Sequence, residues 1–333
     1  MPPPRSFMSF TVRCFETPLT VDQVHISLSS RFNGRPHPDA RIEATKQQIW
    51  AHRQQQSPTL FNATKFRLEE CTVTGTKCDP RASVTMRWGL TDYATYVATC
   101  CSSLTPRLLR DGERLHDNPW AFCSRKVGVA AALETTDGYV ALLQRSTRVG
   151  AYPNLCDTPG GHPEPHKLLL TTESLDSLED NNEHTRKQLE FAARREFFES
   201  ITNEVHEEVN VAPALQHPPT LLGIVFQTDA CTPSFAFHIR TKCTAHELEA
   251  FYRAGPADEF ESTALQLVTV ESLLAHGATA VYEKNVMEEK IQGVGVLLLL
   301  KVCALYACRD KLELTPSAKG TLDLWKRHTL RAR

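Results

Sequence analysis

The chain of 333 residues carries little net charge: 37 Lys and Arg stand against 39 Asp and Glu, a formal −2. A non-specific nucleic-acid binder needs a basic surface to displace counterions, so no nucleic-acid partner is expected. None of the eleven cysteines forms a Cys-x-x-Cys pair, which speaks against structural zinc. Secreted-type spacing is missing too, and a disulfide between the adjacent Cys100 and Cys101 would be strained. Reduced thiols and an intracellular, cytoplasmic address are expected, with the nucleus left open. No apolar stretch follows Met1-Pro2-Pro3-Pro4-Arg5, so no signal peptide is expected there. The most membrane-like stretch, Gly293–Leu300, is broken by Lys301 and falls short of the ~18–20 apolar residues of a spanning helix. No membrane partner is expected, and Asn62-Ala63-Thr64 reads as a chance glycosylation sequon.

What is present is an ordinary soluble composition, 41% hydrophobic and 23% charged. At ~150 residues per domain the length fits one large domain or two modest ones. Strands are predicted over Phe10–Phe15, Lys65–Thr74 and Ala82–Leu90, and helices over Asp39–Gln55 and Asp92–Ala98. Asp117-Asn118-Pro119 reads as a turn and domain boundary, giving 1–117 and 118–333. Val127–Glu134 and Tyr139–Gln144 form a hairpin about Asp137-Gly138. Glu173–Arg186 is polar without periodicity and reads as a loop. Gln188–Val209 is the strongest helix. Strands at Thr220–Phe226, Ser234–Thr241 and Ala264–Val270 and helices at Ala245–Arg253 and Ser317–Lys326 complete an α/β or α+β pattern.

The strongest chemical signal lies at the end of the long helix. Glu204 and Glu208 are one turn apart with Glu207 nearby, and Glu196 falls on the same arc. Phe198, Ile201, Val205 and Val209 occupy the opposite side. No Lys or Arg occurs from Ser200 to Val211, although acids at a helix C-terminus oppose the macrodipole. Asn210 is suited to a left-handed cap. Two readings of the carboxylates stay open on this pattern alone: a solvated acidic face, or a site for a hard divalent cation.

The stretch Glu204-Val205-His206-Glu207-Glu208-Val209-Asn210-Val211 resembles the second half of the Nudix hydrolase box, and Pro159-Gly160-Gly161 resembles its opening glycines. Asn203 replaces the box arginine, Asn210 the late glycine, and Arg195 the first glutamate, with Glu196 beside it. An insertion separates the glycines from the helix. These departures are similar to those of the Nudix branch that hydrolyses UDP-glucose and UDP-galactose. Phrases such as Leu60-Phe61-Asn62-Ala63-Thr64, Gly160-Gly161-His162-Pro163-Glu164-Pro165 and Pro316-Ser317-Ala318-Lys319-Gly320 carry that likeness along most of the chain.

The resemblance implies an α/β/α Nudix sandwich with a small N-terminal α+β domain that closes the nucleotide pocket. It implies Mg²⁺ held by Glu204 and Glu208, with Glu207 a third carboxylate or water-orienting group, and cleavage of a UDP-sugar to UMP and sugar 1-phosphate. It places substrate contacts on Phe61, Tyr93, Arg145, Gly150, Asp157, His162, Glu164 and Ser317. Phe61 and Tyr93 are suited to stack on uracil, and Arg145 to fork onto phosphate. Asp157 and Glu164 are suited to accept hydroxyls, and His162 to donate to phosphate. Ser317 either contacts ligand or caps the last helix. Two other readings stand beside this one: a Nudix hydrolase of another diphosphate such as ADP-ribose, and a non-catalytic nucleotide- or protein-binding scaffold. Ile291–Arg309 departs from the family, as an extra buried element or a gene-model artefact.

Overall fold

The computed structural model describes residues 10–332 apart from 59, 76–81, 148, 150, 151, 178–182, 228–231, 259 and 277–311. Gly150 and Ile291–Arg309 therefore lie outside the described residues.

The chain opens with β1 (Phe10–Leu19), β2 (Val24–Leu28) and α1 (Ala40–Gln56). The antiparallel pair β3 (Thr64–Thr74) and β4 (Ser83–Asp92) follows, then α2 (Tyr93–Cys100) and α3 (Thr105–His116). The predicted hairpin is β5 (Gly128–Glu134) and β6 (Tyr139–Arg145), followed by the two-residue strands β7 (Cys156–Asp157) and β8 (Gly160–Gly161). Next come α4 (Thr172–Ser177), the long α5 (Glu183–Val209), β9 (Thr220–Gln227) and β10 (Thr232–Arg240). The last elements are α6 (Ala245–Arg253), β11 (Ser262–Thr269), α7 (Val270–His276) and α8 (Pro316–Ala332).

The main sheet runs β1-β9-β10-β5-β6-β11, with β7 on β6 and β8 on β5; β10 and β5 are parallel and the other pairs antiparallel. Alternation along its strands feeds two cores. Val129, Ala131 and Leu133 of β5 and Phe235, Phe237 and Ile239 of β10 face α5, where Phe197, Ile201, Val205 and Val209 are buried. Ala132 and Ala236 belong to the opposite face, packed with Ala318, Leu322 and Trp325 of α8. The result is an α/β/α sandwich.

A second sheet, β2-β4-β3, covers the other side of α5. Its Phe66, Trp88 and Met86 share one continuous core with the main sheet. The Trp88 and Phe197 rings meet edge-on at 5.3 Å. The long helix is thus buried between two sheets, and β1 from the start of the chain belongs to the main one.

One reading of the sequence is corrected, and two elements appear that it did not anticipate. Glu173–Arg186 is not all loop: Thr172–Ser177 is helical and α5 already begins at Glu183. The helix Thr105–His116 went unread because Pro106 and Gly112 look like breakers. Pro106 occupies the first turn, where its missing N–H costs no bond, and Gly112 packs against backbone, with a Cβ there only 2.7 Å from the Asn118 and Pro119 carbonyl oxygens. Strand Val24–Leu28 is short and pairs in parallel with β4, a contact no local pattern announces.

Candidate active site

The acidic helix and the glycine turn meet through a matched register. The N–H of Gly160 donates to Glu208 Oε2 (2.8 Å), that of His162 to Glu204 Oε1 (3.2 Å), and that of Glu164 to Glu196 Oε1 (2.9 Å). Alternate N–H groups of an extended segment recur every ~6.6 Å, close to the ~6 Å rise of the four residues from Glu208 to Glu204; the third bond, to Glu196, reaches eight residues further back along the helix, a rise of ~12 Å, as the loop runs on along α5. One helix face therefore hydrogen-bonds one edge of the loop. Glycine is required at the contact: a Cβ on Gly160 would lie 2.4 Å from the Val129 carbonyl oxygen, and one on Gly161 1.9 Å from Glu204 Oε1. Asn210 closes α5 at φ 63°, in the left-handed conformation expected of it, and donates from Nδ2 to the Phe251 carbonyl at 3.0 Å.

Burial rather than solvation defines these acids. Glu208 is 7% exposed, and burial together with the Glu204 charge raises its pKa well above the ordinary carboxyl value. Burial raises that of Glu204 to about 7, helped by the charges of Glu207, Glu261 and Asp258 and opposed by the His162 N–H. Asp258 and Glu261 are also raised by burial. Each of Glu204 and Glu208 has one oxygen bonded to loop backbone and no protein partner at the other among the described residues.

A cleft of about 1210 Å³ opens beside this cluster. Phe61, Tyr93, Arg145, Asp157, His162, Glu164, Ser317, Glu204 and Glu207 all line it, whereas Glu208 is buried and does not. Phe61 is 76% exposed, so it is no core aromatic. Its loop is clamped to α2: Asn62 Oδ1 accepts from the Ala94 N–H (2.8 Å), and Ala63 O from that of Tyr93 (3.0 Å). Arg145 Nη1 meets Asp157 Oδ2 at 3.3 Å. Burial raises the Asp157 pKa against the pull of Arg145, and its Oδ1 accepts from Thr315 Oγ1 at 2.8 Å. Thr315, not Ser317, caps α8: its Oγ1 accepts from the Ala318 N–H at 3.0 Å. The reason is that the helix starts at Pro316, so Ser317 is already inside its first turn, with Oγ 3.2 Å from that of Ser234. Glu164 pairs with Lys65, and the His162 ring with Lys126. Burial and the two lysines hold the His162 pKa well below its ordinary value.

Sequence reasoning passed over Asp258, Glu261, Tyr96, Lys65 and Lys126, all at or beside the cleft. The acid run Asp258-Glu259-Phe260-Glu261 was a signal of the same kind as the helix cluster. Lys65 and Lys126 gave none, because Lys65 reads as an ordinary residue of a strand and Lys126, beside Arg125, as an ordinary basic residue before one.

No family model matches the chain. Curated relatives do. The bovine uridine diphosphate glucose pyrophosphatase NUDT22 is 31% identical over 323 residues, covering 96% of this chain and 97% of its own. The mouse protein of that name is 30% identical over 312 residues, covering 93% and 87% respectively. Nudix hydrolase 9 of Arabidopsis thaliana is 31% identical over 282 residues, covering 80% and 87%. The chain is a Nudix hydrolase.

Nudix hydrolases generally use divalent metal ions. Among the described residues, no three His, Cys, Asp or Glu side chains form a ready-made metal cluster. The donor set still fits a hard cation. Mg²⁺ commonly takes one or two carboxylates and completes its shell with water and substrate phosphate. The second oxygens of Glu204 and Glu208 are of that kind, and a cation would relieve their mutual repulsion. Among the described residues no helix is long and apolar enough to cross a membrane.

Proposed function

We propose that this Nudix enzyme hydrolyses the diphosphate of UDP-sugars, UDP-glucose and UDP-galactose, to UMP and sugar 1-phosphate with Mg²⁺. The observation that carries the reading is one cleft that joins the half-buried, unneutralised Glu204 and its neighbour Glu207 to the Phe61 and Tyr93 rings. The names of the bovine and mouse relatives support the substrate. Glu204 and Glu208 hold the ion, and Glu207, exposed at the cleft edge, orients water. Mg²⁺ when bound neutralises the diphosphate and lowers the pKa of a water molecule. Phe61 and Tyr93 sandwich uracil, a stacking contact that tolerates water on its outer side. Arg145 and His162 face the phosphates, while Asp157, Glu164 and Ser317 take hydroxyls. Residues 1–117 shape the nucleotide side, and 118–333 carry the chemistry.

Incubation with Mg²⁺ and a panel of UDP-glucose, UDP-galactose and ADP-ribose, with products identified, tests this. UMP and sugar 1-phosphate are expected from the first two, and loss of both from Glu204→Gln with the fold intact by circular dichroism. Turnover of ADP-ribose alone would reassign the substrate. Thermal stabilisation by UDP-sugar without product would make the chain a binding scaffold.

A further inference from the structure

Lys126 is a lysine in a place where lysines are costly. It lines the cleft, its Nζ lies 4.5 Å from the centre of the Tyr96 ring, and it hydrogen-bonds His162 Nε2. An ammonium has three donors and no acceptor. The imidazole takes one, and the aromatic face offers only diffuse negative charge. Among the described residues no carboxylate lies within ion-pair distance of Nζ. The neighbouring acids are engaged elsewhere: Glu164 with Lys65, Glu204 with the His162 N–H. A half-buried cation left without an anion is unfavourable unless something else neutralises it.

His162 shows how near that charge is to the reacting end of the cleft. Its backbone N–H binds Glu204, and its ring binds Lys126. An anion seated beside the Glu204 carboxylate lies within the reach of a four-carbon lysine stem one residue away. We propose that Lys126 is a further substrate-binding residue, donating to a non-bridging oxygen of the substrate's diphosphate on the side away from the carboxylates. This rests on the proposed diphosphatase activity for the identity of the ligand. It assigns the anchoring charge to a residue outside the glutamate helix and outside the glycine turn.

The test uses the full chain with Lys126→Met, which keeps the stem and removes the charge. Lys126→Gln takes its place should the first variant fail to fold. UDP and uridine are titrated by calorimetry, and kcat/KM is measured on UDP-glucose with Mg²⁺. UDP affinity and kcat/KM are expected to fall roughly 10- to 100-fold, with uridine affinity unchanged and partial recovery in Lys126→Arg. UDP affinity within twofold of wild type, or an equal loss for uridine, would overturn the assignment. Should the wild-type chain release no UMP from UDP-glucose, the substrate reading fails by itself. Lys126 is then judged on Mg²⁺-pyrophosphate, which carries neither base nor sugar: weaker binding to the variant upholds it. Equal binding, or none to wild type, overturns it.

Discussion

Two sets of acids on α5 behave in opposite ways. Glu183 pairs with Lys187 and, further on, Glu199 with Arg195, each at 2.7 Å and four residues apart at exposed positions. In the last two turns Glu204 and Glu208 have the same spacing, yet no cation among the described residues answers them; Glu204 is half-buried and Glu208 buried. Neutralised acids at helical spacing support the helix by a few tenths of a kcal/mol. Unneutralised ones weaken it, a cost that the cation of the proposed function would offset.

The sharpest way to break this contrast is by activity. Glu204→Gln or Glu208→Gln is expected to lower kcat on UDP-glucose by about 10³-fold or more, while Glu199→Gln stays within twofold. Equal losses would remove the distinction between the paired and unpaired acids. Next in size is Gly161→Ala, whose Cβ would collide with Glu204. A fall of about 10²-fold in kcat/KM is expected, with about 1–3 kcal/mol lost in urea unfolding.

A third expectation concerns stability without metal. The Glu204 pKa rises on folding from 4.5 to about 7. For an acid raised in this way the penalty is absent below pH 4.5, grows between there and about pH 7, and is full above. Glu204→Gln should therefore be more stable than wild type by about 1–3 kcal/mol at pH 8 without metal. The gain should fade as the pH is lowered toward 4.5. Thermal melts across that range decide it, and Mg²⁺ should narrow the gap by stabilising wild type alone. Smallest is the effect at a paired acid: Glu199→Gln should cost under about 0.5 kcal/mol, and less in high salt.

The same contrast explains what was legible in the sequence. The Asn210 cap and the hairpin depend on residues close together and were legible locally, and helical spacing put the glutamates on one side of α5 while leaving open whether that side was solvated. The rest of the cleft is assembled from distant segments. Phe61, Tyr93, Arg145 and Ser317 could be named only through family likeness, because nothing local distinguishes a cleft aromatic from a core one. Lys126 and Glu261 escaped even that. The cap lies two residues before Ser317, since the helix begins at Pro316 and the residue before it, Thr315, is the cap.

The bonds from Gly160, His162 and Glu164 to Glu208, Glu204 and Glu196 act as a ruler laid along the helix. A ruler must not be stretched, but the cord by which it hangs can be any length. One residue added between Gly160 and Glu164 would turn alternate N–H groups away from every glutamate beyond it. Residues added between Leu170 and Glu183 leave all three bonds untouched. The two parts of the box can therefore drift apart along the chain while remaining one object in space, and what evolution must hold constant is registry rather than distance in sequence.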